Sequence, residues 1–204
     1  LTTGAGNLAI GYTAMATNKL GDKNIAIGYG AMDLSYIDDT EDALTDNNIF
    51  IGYDSGGGDW ETAASYGNVG VGNTTLDAVM NGALRNTALG NGAATSVTEG
   101  DDNVCIGAGS GGYITTGSKN TIIGSEANTG AGNNNNLTAI GYDCEAPDIS
   151  NAVVLGNGDV TAVYMADDAT SDYSTNTHGA TVYAGGLHLK KSQLAHDSGG
   201  ITSP

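Results

Sequence analysis

The chain has 204 residues, of which 33 are glycine, and only 14% are charged. A single Phe and a single Trp argue against a thick aromatic core. The formal net charge of −17 argues against binding to nucleic acid or to an anionic membrane, since both would repel the chain. No segment approaches the roughly 20 apolar residues of a membrane-spanning helix, so membrane insertion is not expected.

A short motif recurs from the start of the chain, first as NLAIG and then as NIAIG. The glycines that close its nine copies are Gly11, Gly28, Gly52, Gly72, Gly90, Gly107, Gly124, Gly141 and Gly156. Successive intervals are 17, 24, 20, 18, 17, 17, 17 and 15 residues. So short a period predicts an all-β protein, a parallel β-solenoid (β-roll) of about nine short rungs. We assign residues 1–156 to this domain and 157–204 to a non-repeat β or extended segment that leads to a C-terminal domain absent from the chain.

Each rung is expected to hold two short strands, the motif and the segment after its closing glycine, as in YTAMA. Within the motif, aliphatic residues alternate with a smaller one, as in Leu8, Ala9 and Ile10. We expect the aliphatic face to point into the coil. The small-residue face would then lie outside, where it would let chains pack closely against one another.

An asparagine opens seven of the motifs, often three residues after a glycine. These asparagines are Asn7, Asn24, Asn48, Asn68, Asn86, Asn103 and Asn120. The pattern GxxN predicts a turn that leads into the strand, because Gly and Asn tolerate positive φ. In the last two copies Asn136 and Asn151 stand one residue earlier, which predicts a β-bulge or a change of winding there.

Two rungs carry insertions, at residues 33–47 and 54–68, and insertions in a solenoid leave it as surface loops. Aromatic and acidic residues occur together in them, a combination suited to sugar faces and hydroxyl groups. The candidate receptor-binding residues are Tyr36, Asp38, Asp39, Trp60 and Tyr66. Packing of the loops themselves is the alternative, with Trp60 covering the apolar end of a rung. The acidic residues match no established metal-binding spacing, so no metal site is predicted.

Other patterns are interpreted as structural. Tyr12, Tyr29 and Tyr53 follow the closing glycine in consecutive rungs and should stack as a ladder. The sequence GAGSGG at 107–112 satisfies a dinucleotide fingerprint, but the residues after it predict a solenoid turn and no helix. Cys105 and Cys144 should be free thiols, because two rungs separate them by about 10 Å along the axis. The adjacent residues HDS at 196–198 are not a catalytic triad.

The repeated N-x-A-I-G, followed by a small-residue segment and G-x-x-N, resembles the head repeat of trimeric autotransporter adhesins and the matching repeats of bacteriophage tail-fibre and spike proteins. The resemblance spans about residues 1–156 and implies a left-handed parallel β-roll with three chains around a common axis. The rungs are longer than those of the adhesin heads. The stretch NAVVLGNGDVTAVY is similar to the one that leads towards a C-terminal intramolecular chaperone in phage fibres, which favours a viral fibre.

We therefore expect a structural and host-attachment part of a viral tail fibre or spike, located extracellularly on the virion. Its partners would be two further copies in a homotrimer, a host cell-surface glycan or outer-membrane protein, and other fibre or tail proteins of the virion. No catalytic residues or cofactors are assigned. The alternatives are the head of a bacterial trimeric surface adhesin, a glycan-degrading spike enzyme using carboxylates such as Asp59 and Glu61, and a purely structural spacer.

Overall fold

The computed structural model of the protein describes residues 4–34, 45–60 and 63–160, all of which belong to one compact unit, Leu1–Thr161. These residues form nine strands of three residues each, and no helix. The strands are β1 (Leu8–Ile10), β2 (Ile25–Ile27), β3 (Ile49–Ile51), β4 (Val69–Val71), β5 (Thr87–Leu89), β6 (Val104–Ile106), β7 (Thr121–Ile123), β8 (Thr138–Ile140) and β9 (Val153–Leu155).

All nine strands pair in parallel and in chain order, so that each strand contacts the one before and the one after it. The register is constant: Leu8 pairs with Ile25, and Thr138 pairs with Val153. Each strand ends at the residue before a closing glycine, where the repeat predicts it. The predicted all-β parallel solenoid is confirmed, while the division at residue 156 stays a prediction because residues 161–204 lie outside the described part of the chain.

The interior of the coil is narrow, and only the middle residue of each strand points into it. From β2 to β8 this middle residue is fully buried, and in most rungs it is small, as with Ala26, Ala88 and Cys105. The opposite wall is made by buried side chains such as Met32 and Leu76, both 0% exposed. The first and third residues of each strand therefore point outward. The expectation that the aliphatic face points inward is wrong, because the Met and Leu side chains of the far wall already fill much of the interior, and the inward position is small in most rungs, with Phe50 and Ile122 as exceptions.

Phe50 is the largest side chain at a middle position, and the rungs around it are altered to hold it. Gly70 occupies the equivalent position in the next strand, where a Cβ atom would collide with the Phe50 ring. Trp60 packs against Phe50 edge to face, with 5.8 Å between ring centroids. The swollen third rung thus encloses an aromatic pair, compensated by a glycine in the following rung.

A column of asparagine side chains runs inside the coil beside the strands. The Oδ1 atom of each asparagine accepts a hydrogen bond from the backbone N–H of the equivalent residue one rung later. In the first such bond the N–H of Asn24 donates to Asn7 at 2.8 Å, and in the last the N–H of Leu137 donates to Asn120 at 3.0 Å. Each Nδ2 donates to a backbone carbonyl of the next rung, as Asn86 does to Gly100 at 2.7 Å. Because buried polar groups need partners, the column fixes both the height and the register of the rungs.

The residue just before each asparagine has positive φ in every rung. Glycine occupies this position in two rungs, and Lys23, Arg85 and Lys119 adopt φ of 57°, 55° and 63° there. Asn136 and Asn151 stand at this same position, with φ of 51° and 60°. The predicted bulge is therefore wrong: the parallel register continues through β9, and the two asparagines supply the left-handed conformation that Asn tolerates well.

The predicted second strand of each rung is also wrong. After the closing glycine the backbone enters turns in which left-handed residues recur, for example Thr13 at φ 56° and Met15 at φ 53°. Left-handed residues cannot continue a strand. The described residues contain one isolated parallel bridge outside the strands, between Asn128 and Glu145. Each rung is thus one strand followed by compact turns.

Replacing Asn86 by Ala should strongly destabilise the solenoid. Its Oδ1 accepts from the backbone N–H and the side chain of Asn103, and its Nδ2 donates to Gly100 and Asn68. Without the amide, several buried groups lose their partners, each at a cost of about 1–3 kcal/mol. We expect the free energy of unfolding, measured by denaturant titration, to fall by about 3 kcal/mol or more.

The matched control is Asn133→Ala, which removes an exposed asparagine from the turns between β7 and β8, away from the buried column. It should change the unfolding free energy by about 0.5 kcal/mol or less. Equal effects of the two substitutions would contradict the structural role of the buried column.

Candidate interaction surface

The strands present a continuous outward face, which we define as four alternating positions in each rung. The second rung shows the pattern as Lys23, Ile25, Ile27 and Tyr29. The two central columns are the first and third strand residues, and fifteen of these eighteen residues are aliphatic. The three exceptions are Thr87, Thr121 and Thr138, all in the first column. The third column is aliphatic in all nine rungs.

Two flanking columns complete the outward face. The amino-side column is the left-handed position before each asparagine or its equivalent: Gly6, Lys23, Asn47, Gly67, Arg85, Asp102, Lys119, Asn136 and Asn151. The carboxyl-side column follows each closing glycine: Tyr12, Tyr29, Tyr53, Asn73, Asn91, Ala108, Ser125, Tyr142 and Asn157. The hydrogen bond from Gly30 N–H to the Tyr12 carbonyl continues the parallel ladder across this column.

Of the fifteen aliphatic residues in the central columns, seven are exposed and the other eight are half-buried. Ile10 is 54% exposed, Leu89 in the middle strand is 47% exposed, and Leu155 at the far end is 46% exposed. Single exposed apolar residues are ordinary on a protein surface, but a contiguous row over nine strands is not. A row of this kind is a candidate surface for contact with another molecule.

The outward face is almost free of the acidic residues that dominate the rest of the protein. It holds one of the fourteen acidic residues in the described part of the chain, Asp102, and three of its four basic residues. Asp102 is paired with Arg85 at 2.7 Å, and that hydrogen bond holds the pKa of the Asp102 carboxyl below its usual value. Two copies that meet through this face would therefore avoid the repulsion expected between chains of net charge −17.

The predicted tyrosine ladder is confirmed. The ring centroids of Tyr12 and Tyr29 are 5.2 Å apart, and those of Tyr29 and Tyr53 are 5.5 Å apart, with nearly parallel rings. Because the rings stack on each other, both faces of Tyr29 are covered. The ladder consequently offers ring edges and hydroxyl groups to a partner, and little of the open ring face on which a sugar would stack.

The structure places the candidate receptor-binding residues of the loops in different environments. Trp60 is 0% exposed, so its placement on a binding surface is wrong: it packs on Phe50, as the alternative of loop packing expects. Tyr66 is 41% exposed and remains a candidate. Tyr36, Asp38 and Asp39 lie outside the described residues, as does Glu61, the possible partner of Asp59 in a glycosidase.

Three carboxyl groups approach one another on the turns of consecutive rungs, at Asp33, Asp54 and Asp77. Burial raises the pKa of Asp33 and of Asp77, and the charge of Asp54 raises both further. Among the described residues no group of three or more His, Cys, Asp or Glu side chains has the arrangement needed to hold a metal ion. These carboxyl groups are therefore assigned no ligand.

The remaining sequence patterns are structural in the described residues. The GAGSGG segment forms the turns after β6, with no helix that could bind a pyrophosphate, as predicted. Cys105 and Cys144 are free, as predicted, and both are buried. None of the described residues forms a helix long and apolar enough to cross a membrane.

Comparison with protein-family models, with curated proteins and with solved structures finds nothing that matches this chain. Its function is therefore inferred from its own residues. The clearest functional feature they provide is the outward face.

Both thiols should resist modification in the folded protein. Burial raises the pKa of the Cys105 thiol to about 12, and it also raises the pKa of Cys144. At pH 8 only about one Cys105 in ten thousand would be the reactive thiolate, and the reagent would also lack access. A chromogenic disulfide reagent should therefore titrate two thiols per chain in denaturant and essentially none without it. Rapid reaction of the native protein would contradict the buried placement.

Proposed function

We propose that the protein is a structural and host-attachment part of a viral tail fibre or spike, in which three copies assemble through their outward faces. The observation that carries this proposal is the aliphatic double column of an outward face from which thirteen of the fourteen described acidic residues are absent. A face of this composition is suited to another copy of the same face, because it brings no uncompensated carboxylates together.

The dimensions of the outward face are sufficient for a stable assembly. Nine rungs spaced by about 4.8 Å span roughly 38 Å, and the four alternating positions of a rung span about 20 Å. The resulting footprint of roughly 760 Å² is close to the about 800 Å² that one partner contributes to a standard protein interface. Burial of the central columns would also supply stability that a coil with so narrow an interior lacks.

Three copies and a role in attachment are supported by the resemblance of the repeat to adhesin heads and phage fibres. A stack of rungs pinned by internal hydrogen bonds is stiff, which suits a fibre that holds binding sites away from a particle. Three identical weak sites on one rod would bind a surface of repeated receptors with high avidity. The receptor would be a host cell-surface glycan or an outer-membrane protein, and the ends of the rod would join other fibre or tail proteins.

The first test is the mass of the protein in solution. Light scattering should give about 61 kDa, three times the 20.4 kDa of one chain. The substitution Leu89→Asp should reduce this mass to that of a monomer, because it places a carboxylate in the centre of the buried face. Leu89 is 47% exposed in the single chain, so the variant should keep its native circular dichroism spectrum.

The control for this test is Val79→Asp, which changes a side chain of nearly equal exposure, 46%, between β4 and β5 and away from the outward face. It should leave the mass at that of three chains. A monomeric wild-type protein, or loss of assembly in both variants, would contradict assembly through the outward face.

The second test concerns attachment. Residues 35–44, which include Tyr36, Asp38 and Asp39, can be replaced by a short Gly-Ser linker that leaves Trp60 in the core. The variant should remain assembled but bind at least tenfold fewer cells in a panel of bacteria labelled with fluorescent protein, because the candidate receptor contacts are removed.

The matched control for attachment is Tyr113→Ser, which removes a tyrosine that is 57% exposed on a rung without an insertion. It should bind like the wild type. Equal binding by the linker variant and the wild type would exclude this loop as the attachment site. Steady release of reducing sugar from cell polysaccharide would instead favour the glycan-degrading enzyme.

A further inference from the structure

The two flanking columns of the outward face differ in chemistry, and in six of the nine rungs a tyrosine or charged residue in one column is matched by a small residue or an amide in the other. Where the carboxyl-side residue is a tyrosine, the amino-side residue of the same rung is small or an amide in three rungs out of four: Gly6, Asn47 and Asn136. Where the amino-side column is charged in rungs five to seven, the carboxyl-side residues are small: Asn91, Ala108 and Ser125. The second rung differs, since it pairs Tyr29 with Lys23.

A closed ring of identical chains brings these columns together. In a cyclic assembly whose axis runs along the solenoid, equivalent rungs of all copies lie at the same height. The carboxyl-side column of one copy then meets the amino-side column of the next, rung by rung. The size complementarity seen in these six rungs is consequently a complementarity between neighbouring copies, since the two columns of one chain lie about 20 Å apart and do not touch.

Resting on the three-chain assembly proposed above, we propose that the tyrosine ladder is the recognition element that sets the register between copies, with Tyr29 of one copy against Lys23 of the next. The ladder is exposed in the single chain, at 70% for Tyr12 and 54% for Tyr29.

The chemistry of the second rung fits this contact. Stacking covers the faces of the Tyr29 ring and leaves its edge and hydroxyl group outward. The aliphatic stem of Lys23 can pack along that edge while its ammonium group donates a hydrogen bond to the tyrosine hydroxyl. The glycine and the asparagine at the same position in the rungs on either side leave room for the rings of Tyr12 and Tyr53.

The test is disulfide formation in the double variant Lys23→Cys with Tyr29→Cys. The two positions of one chain are about 20 Å apart, beyond the roughly 7 Å between Cα atoms that a disulfide can span, so any bond between them joins two copies. Mild oxidation followed by a non-reducing denaturing gel should give a covalent species of three chains. The wild type serves as the blank, because both of its own thiols are buried.

Two further variants control for register and for loss of the ladder. Lys119→Cys with Ser125→Cys places the same pair of positions in the seventh rung while keeping every tyrosine, and it should also give three linked chains. Lys119→Cys with Tyr29→Cys joins rungs two and seven, which lie about 24 Å apart in height, and it should give no linked species.

The pairing of the flanks and the three-chain assembly can fail separately. The pairing would be overturned if the matched variants gave covalent dimers but no trimers, or no covalent species at all. It would also be overturned if the mismatched variant, Lys119→Cys with Tyr29→Cys, gave a covalent species. If light scattering nevertheless shows three chains, only the pairing fails and the assembly stands. A monomeric mass would overturn both.

Discussion

The fold depends on the hydrogen bonds of the buried asparagine column. Each Oδ1 accepts the backbone N–H of the next rung, and each Nδ2 donates to a carbonyl of that rung, so a single side chain holds two consecutive turns together. Three-residue strands could not fix their register by backbone pairing alone. The column ends at Leu137. Its backbone N–H still donates to Asn120, but its apolar side chain cannot accept a hydrogen bond from the next rung. Register continues beyond it through Asn136, whose Nδ2 donates to Asn151 at 3.0 Å.

Because hydrogen bonds hold the rungs close together, the coil has little interior volume, and this constraint creates the outward face. Gly90 illustrates the limit: at φ 137° a Cβ atom there would collide with the carbonyl group of Gly107 in the next rung. The middle residue is small in most strands for a related reason, since Met32 and Leu76 already fill the opposite wall, and Phe50 and Ile122 are the exceptions. Most of the larger aliphatic strand residues therefore lie on the outward side. The apolar surface through which we propose assembly is therefore a consequence of how closely the rungs are stacked.

The sequence predicted the position of every strand but not the direction in which its side chains point. Strand ends were predictable because the closing glycine marks a contact that no other residue tolerates. Alternation in Leu8, Ala9 and Ile10 shows that two faces exist, yet it does not say which one is enclosed, because that depends on the turn residues that form the far wall. Trp60 was misplaced for a similar reason. The signal that could have located it was the pair of Phe50 and Gly70, a bulky residue at a small position followed by a glycine that makes room for it.

The distribution of charge connects the fold to self-association. A chain of net charge −17 repels its copies, and this keeps most of its surface from aggregating. Within the described part of the chain, the sheet face is a region where that repulsion is reduced, since its single carboxylate, on Asp102, is paired with Arg85 and the other charges there are positive. Nine parallel strands with exposed aliphatic residues would otherwise be prone to unspecific association. In the proposed assembly the acidic turns disfavour contact through other faces, and the unequal flanks of the outward face restrict how two copies meet.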